Sequence, residues 1–220
     1  MSFIVAIDGP AGSGKGTVTK KVAKEMGLTN IDTGATYRCV ALAIIENNVL
    51  LEEKNKIIEI AKNIKIEFDG NQNVFLNGKN VTKKIRSKEV SDIVSQVSSI
   101  KDVRLIMVDL QRKLAQNKNV IMEGRDIATY VFPNANVKIY LDASLEERAK
   151  RRYQEMKEKN LKITYDEVLE NIKMRDENDK NKEIGSLKIA EDATVIDTTN
   201  LSIQEVADKI KQIINKKTQY

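Results

Sequence analysis

The 220-residue sequence contains no histidine and one cysteine, Cys39. Without histidine there is no Ser-His-Asp or Cys-His catalysis and no His-ligated zinc. A single cysteine excludes an internal disulfide and any multi-cysteine metal site. Cys39 falls inside a helical apolar pattern, so core packing is its expected role. Only ten residues are aromatic, and they are scattered without a stacking motif, so the net charge of +5 comes without the other marks of a nucleic-acid reader. No apolar run approaches the ~20 residues that cross a bilayer, and the opening Met-Ser-Phe-Ile carries neither a basic region nor a cleavage site. The expectation is a cytoplasmic protein with no membrane or nucleic-acid partner. The groups left for chemistry are Lys, Arg, carboxylates, backbone amides and a bound cation, a set that suits phosphoryl transfer, which depends on positioning and charge neutralisation.

What the chain does have begins at once. Residues 9–17, Gly9-Pro10-Ala11-Gly12-Ser13-Gly14-Lys15-Gly16-Thr17, follow the apolar run Phe3–Ile7 and precede a helical pattern. This is a P-loop. Its glycines let backbone N–H groups turn toward phosphate oxygens, Lys15 adds a charge near the β- and γ-phosphates, and Thr17 offers a hydroxyl to Mg²⁺. Glycine-rich turns also join strands to helices for no chemical reason. Four glycines, a lysine and a threonine at this spacing, in this context, favour a nucleoside triphosphate site.

Five apolar runs read as buried strands: Phe3–Ile7, Thr29–Ile31, Val120–Met122, Val137–Leu141 and Thr194–Ile196. Helical stripes lie between most of them (Tyr37, Val40, Ala41, Ile44 and Ile45; Val103, Ile106, Met107, Leu110 and Leu114; Ile203, Val206, Ala207, Ile210 and Ile213). The alternation predicts a doubly wound α/β fold with a parallel five-stranded sheet, in one domain over residues 1–220. Two segments break it. Ile64–Phe68 and Val74–Leu76, joined by Asp69-Gly70-Asn71-Gln72-Asn73 and followed by Asn77-Gly78, predict an antiparallel insert at about residues 64–96, with Val81 opening a third strand. Residues 144–183 predict two charged helices, capped by Ser144 with Glu147 and by Thr164 with Glu167. Their few apolar residues suit an element that packs weakly and moves as a lid.

Further charged patterns cluster at the ends of strands and helices. Asp32-Thr33-Gly34-Ala35-Thr36-Tyr37-Arg38 follows the second strand, Ser95 precedes Arg104 by nine residues, and Glu123-Gly124-Arg125-Asp126 ends the third strand. Arg148, Arg151 and Arg152 share a helix face at i, i+3, i+4, and Arg175, Asp179 and Lys182 another at i, i+4, i+7. A single helix arginine is commonly a solvated charge. Here Asp32 and Glu123 stand at the carboxyl ends of parallel strands, the edge on which the P-loop opens and where α/β sheets bind ligands.

At these residues the sequence resembles the bacterial cytidylate kinases. The resemblance runs along nearly the whole chain, from Ile-Asp-Gly-Pro-Ala-Gly-Ser-Gly-Lys-Gly-Thr through Asp-Thr-Gly-Ala-Thr-Tyr-Arg and Glu-Gly-Arg-Asp-Ile to Ile-Lys-Met-Arg-Asp and Ile-Asp-Thr-Thr-Asn-Leu-Ser-Ile. Gly16, where Ser or Thr usually follows the P-loop lysine, agrees with kinases of nucleoside monophosphates. The resemblance implies transfer of the γ-phosphoryl group of ATP to CMP or dCMP with Mg²⁺, by a monomer. It further implies that Ser95, Arg104 and Asp126 read the cytosine edge, that Arg38 and Arg125 hold the acceptor phosphate, and that Arg175 and Asp179 hold the sugar. Thr33 and Tyr37 lie in the substrate-binding motif, Arg148, Arg151 and Arg152 belong to the lid and act on the transferring charge, and Asp32 lies behind Mg²⁺. Two departures stand out: Lys182 replaces an arginine common in the family, keeping its charge but losing the bidentate fork, and Asn178 replaces a residue that is basic in some relatives. The competing readings are a P-loop kinase acting on UMP, AMP or a shikimate-like acceptor, and a nucleotide-binding regulatory switch.

Overall fold

The computed structural model describes residues 2–70, 72–158 and 162–218. Strands β1 (Ile4–Asp8), β2 (Thr29–Asp32), β6 (Val120–Gly124), β7 (Val137–Asp142) and β8 (Thr194–Asp197) form one sheet in the order β2-β6-β1-β7-β8. All four pairings are parallel. Because side chains alternate across a strand, β1 sends Val5 and Ile7 into one apolar layer and Ala6 into the other. The first layer is completed by Val18 and Val22 of α1 (Lys15–Met26) and by Val206, Ile210 and Ile214 of α8 (Ile203–Thr218). The second takes Ile31, Met122 and Val108, the last from α5 (Lys101–Leu114). Burial on both faces explains why the central strands β1, β6 and β7 are nearly continuous apolar runs.

The antiparallel sheet consists of β3 (Ile66–Phe68), β4 (Val74–Leu76) and β5 (Lys79–Asn80). Its third strand lies just before Val81, which is buried in the packing beneath. Helices α2 (Thr33–Glu46), α3 (Lys54–Asn63) and α4 (Lys88–Val97) share a third apolar cluster with this sheet, and Cys39 lies fully buried within it. Burial pushes the Cys39 thiol up to about 12, so it packs as a small apolar group. Neither α3 nor α4 is among the elements that the sequence pattern predicts.

Helices α6 (Leu145–Glu158) and α7 (Tyr165–Lys180) carry their own small cluster of Ala149, Val168 and Ile172. The expected caps form: Ser144 Oγ accepts from Glu147 N–H, and Thr164 and Glu167 make a reciprocal capping box. No helix among the described residues is long and apolar enough to cross a membrane.

Candidate active site

The carboxyl ends of β1, β2 and β6 meet at one edge, where Asp8 pairs in register with Gly124 and Asp32 with Glu123. From this edge β1 passes into the loop Gly9–Thr17 and so into α1. Gly9, Gly12 and Gly14 take positive φ of 151°, 81° and 88°, which lets the backbone curl on itself. Lys15 is buried and donates to Gly9 O (2.6 Å), Pro10 O (2.7 Å) and Ser13 Oγ (3.2 Å), so its ammonium bridges the loop's own oxygens. Burial, followed by the nearby charge of Arg125, holds Lys15 well below the usual lysine range, against the pull of Glu123 and Asp8. Gly16 has a steric reason: a Cβ there would lie 3.2 Å from Glu123 Oε1. The glycine admits a carboxylate beside the loop.

Glu123 is buried, accepts from Thr19 Oγ1 (3.3 Å), and is pushed up to about 7 by burial and by neighbouring Asp32. Asp32 caps α2 through Ala35 N–H and pairs with Arg86 at 3.0 Å. Among the described residues no group of three His, Cys, Asp or Glu could hold a metal unaided. Mg²⁺ does not need one, because it keeps its waters and takes one or two carboxylates together with substrate phosphate. Thr17 with Asp32 and Glu123 fits that donor set. Thr33 Oγ1 donates to Glu123 O (2.7 Å) and fixes the end of β6 against α2.

A second group of cations lies beyond Glu123. Arg125 donates through Nε to Asp179 Oδ2 (2.7 Å), and Lys182 Nζ donates to Asp179 Oδ1 (2.7 Å). Burial opposes the Asp179 charge, but the two cations outweigh it and hold its carboxyl far below the usual range. Lys182 is therefore tied to a carboxylate, its side chain 5% exposed. Arg38 reaches Ile85 O (3.2 Å) and Ser91 Oγ (3.0 Å). Burial, with Arg175 next, lowers Arg38 to about 10, and burial followed by Arg125 also lowers Arg175. Arg152 adds to both, although its own ion pair is with Glu155 at 2.7 Å. Arg38, Arg125, Arg152 and Arg175 thus crowd one region with like charge, which an anion would relieve.

Next to this region Arg104 and Asp126 form a buried ion pair at 2.5 Å, with side chains 2% and 6% exposed. Arg104 also donates to Ser98 O (3.1 Å) and Gly185 O (3.3 Å), and its guanidinium lies 5.4 Å from the centroid of the Tyr37 ring. Among the described residues Arg104 Nε is buried without a hydrogen-bond partner. Ser95 is half-buried near the end of α4; its carbonyl accepts from Ser98 Oγ (2.9 Å), and it lines an open cleft of about 830 Å³ with Ile58, Ile100 and Asn178.

The three helix arginines separate in role. Arg148 turns inward, 6% exposed, and donates to Ala143 O (3.0 Å), Ala11 O (3.1 Å) and Asp176 Oδ2 (2.6 Å). It joins α6 and α7 to the loop. Arg151 donates to Thr198 O (2.6 Å) and Glu147 Oε1 (3.0 Å), and Thr198 in turn donates to Ser13 O (3.2 Å). Sequence reasoning missed Asp8, Asp176 and Thr198 and assigned Glu123 no role. Asp8 and Glu123 were findable as acids ending buried strands beside the loop; Asp176 and Thr198 lie inside two of the segments that carry the resemblance, but nothing in their spacing names their partners.

A model of the cytidylate kinase family matches residues 5–216. The chain is 49% identical over 215 residues to a cytidylate kinase of Caldicellulosiruptor bescii, covering 96% of this chain and 95% of that protein. It is 48% identical over 218 residues to the cytidylate kinase of Bacillus subtilis, covering 97% of both. Among solved structures, an uncharacterized protein from Eubacterium ventriosum superposes with a TM-score of 0.56 at 14% identity, covering 97% of this chain and 99% of that one. A shikimate kinase from Bacteroides thetaiotaomicron superposes with a TM-score of 0.50 at 10% identity, covering 97% and 98%. The structural likenesses speak to fold alone, whereas the sequence matches span the chain: it belongs to the cytidylate kinase family.

Proposed function

We propose that the protein transfers the γ-phosphoryl group of ATP to CMP and dCMP. The observation that carries this reading is the convergence of two cation sets on one sheet edge: Lys15 of the triphosphate loop lies close enough to Arg125 for the two charges to perturb one another. A nucleotide switch has no use for the second set. The acceptor phosphate sits among Arg38, Arg125 and Arg175, since guanidinium forks match phosphate oxygens. The company of Arg175 favours phosphate over sugar for that residue and leaves the sugar to Asp179. Asp126 accepts from the exocyclic amine that distinguishes cytosine from uracil, with Arg104 holding its carboxylate in place. The cleft beside Ser95 supports an entry for the base on that side.

ATP draws Lys15 off the loop carbonyls and onto its β- and γ-phosphates. Thr17, with Asp32 and Glu123 behind it, would hold Mg²⁺, which would supply charge neutralisation on those phosphates. The acceptor is already an anionic phosphate, so no strong general base is required. Helices α6 and α7 act as the lid, with Arg151 and Arg152 closing on the transferring charge and excluding water that would otherwise hydrolyse ATP. The buried contacts of Arg148 support a different duty, that of positioning the lid on the loop. The antiparallel sheet with α4 is the monophosphate-binding insert. In this reading the protein works as a cytoplasmic monomer on small molecules alone.

The test is ADP release with CMP, dCMP, UMP, AMP, GMP or no acceptor. The expected result is turnover with CMP and dCMP well above the rest. ADP formation independent of acceptor, or a preference for AMP, overturns the assignment.

A further inference from the structure

Asp8 has no place in the contacts assigned above, yet it is among the most deeply buried carboxyls, 1% exposed. It is the last residue of β1, immediately before the triphosphate loop. Its Oδ1 accepts from Ile127 N–H (2.9 Å) and its Oδ2 from Ala128 N–H (2.7 Å), across the sheet edge. These two residues open a single wide turn, Ile127–Val131, in which Val131 N–H and Phe132 N–H reach back five residues to Asp126 O (3.0 Å) and Ile127 O (2.7 Å). Such turns leave their first N–H groups without partners in the helix itself. Arg125 and Asp126 are the residues leading into this turn.

Keeping an acid here is costly. Burial raises the Asp8 carboxyl to about 6, Asp126 pushes the same way, and only the two N–H bonds and Lys15 oppose them. An apolar side chain would avoid that cost but leave two buried N–H groups unsatisfied. Those bonds also join the strand that carries the donor loop to the corner that carries Arg125 and Asp126. We propose that Asp8 is a positioning residue for the acceptor, holding the Arg125–Asp126 corner at a fixed place relative to the triphosphate loop without touching either substrate. The proposal rests on the acceptor reading of Arg125 and Asp126.

Steady-state kinetics of the full-length Asp8→Asn and Arg125→Lys variants separate the two ideas. Asn keeps one acceptor but turns an NH₂ toward the second N–H. Asp8→Asn should raise KM for CMP about five- to tenfold and leave KM for ATP within twofold, and titration with CMP alone should show the same loss. A merely structural role would lower the melting temperature without this split. An unchanged KM for CMP, or an equal rise for ATP, overturns the role of Asp8. Arg125→Lys should raise KM for CMP on its own; if it does not, the acceptor reading itself fails. If Asp8→Asn does not fold, Asp8→Ser, which retains one acceptor in a smaller volume, is measured for the same outcomes.

Discussion

Replacing Arg175 by methionine should stabilise the ligand-free protein and weaken CMP binding in the same variant. Arg175 is half-buried and makes no hydrogen bond or ion pair among the described residues, while burial and the Arg125 charge act against its own. The acids nearest to it are committed elsewhere, Asp179 to Arg125 and Lys182, and Asp176 to Arg148. Without an anion the guanidinium is therefore poorly compensated. Removing such a functional charge commonly gains about 0.5–2 kcal/mol. For a chain of this size that corresponds to a rise in Tm of roughly 1–8 °C. With CMP bound, the same group would supply a charge-assisted hydrogen bond worth about 1.5–3 kcal/mol. Its loss would weaken CMP roughly 10- to 150-fold. Thermal melts with and without CMP, together with calorimetric titration, read both effects. The variant should melt above the parent protein when ligand-free and gain less from CMP. A variant that melts several degrees lower and binds CMP as before would refute the reasoning and make Arg175 a structural residue.

Two other perturbations follow from the buried ion pairs. Arg148→Ala strands Asp176, whose Oδ1 lacks a partner among the described residues, and should cost about 3–5 kcal/mol in chemical denaturation. Adding Asp176→Ala should recover part of that, whereas simple additivity would show that the pair is not coupled. Asp179→Asn should destabilise the protein at pH 7 by leaving Arg125 and Lys182 unpaired. The folded-state pKa of Asp179 is depressed, so its contribution is present above the ordinary carboxylate pKa and is lost as pH falls through the folded value. The gap in stability between parent and variant should therefore narrow as the pH is lowered from 4 toward 2; a gap independent of pH would contradict the pairing.

The central strands β1, β6 and β7 were legible as apolar runs buried on both faces, and the edge strands β2 and β8 from the short runs that end at Ile31 and Ile196; the apolar pattern stops short of the observed ends for a physical reason. Strands read to Ile7, Ile31, Met122, Leu141 and Ile196 end in the structure at Asp8, Asp32, Gly124, Asp142 and Asp197. The omitted residues are polar or small because they stand at the carboxyl edge of the sheet, where the strands leave the apolar layers. Helix α4 was missed although Val90, Val94 and Val97 recur at helical spacing, since Lys, Glu, Ser and Asp around them dilute the pattern. The antiparallel insert was legible from its turn residues, but its first strand starts at Ile66, its third lies at Lys79–Asn80, and residues 88–97 of the same stretch form α4. At the site, the candidate residues were visible as types and spacings, but their partners were not. Asp8 meets a turn 119 residues away, and Arg148 finds Asp176 on another helix. No local pattern carries such pairings, so the inward turn of Arg148 emerged only from the folded arrangement, whereas Asp179 and Lys182, three residues apart, already share a face in the sequence.

The central claim is that the acceptor base is read at Asp126. The most direct measurement is the ratio of kcat/KM for CMP to that for UMP, taken within the Asp126→Asn variant and within the parent protein, so that any shared loss of stability cancels. An amide can donate to the uracil oxygen where the carboxylate could only accept from the cytosine amine, a difference worth about 1–3 kcal/mol. The account predicts that the ratio falls by roughly 5- to 150-fold. A ratio unchanged by the substitution would contradict it.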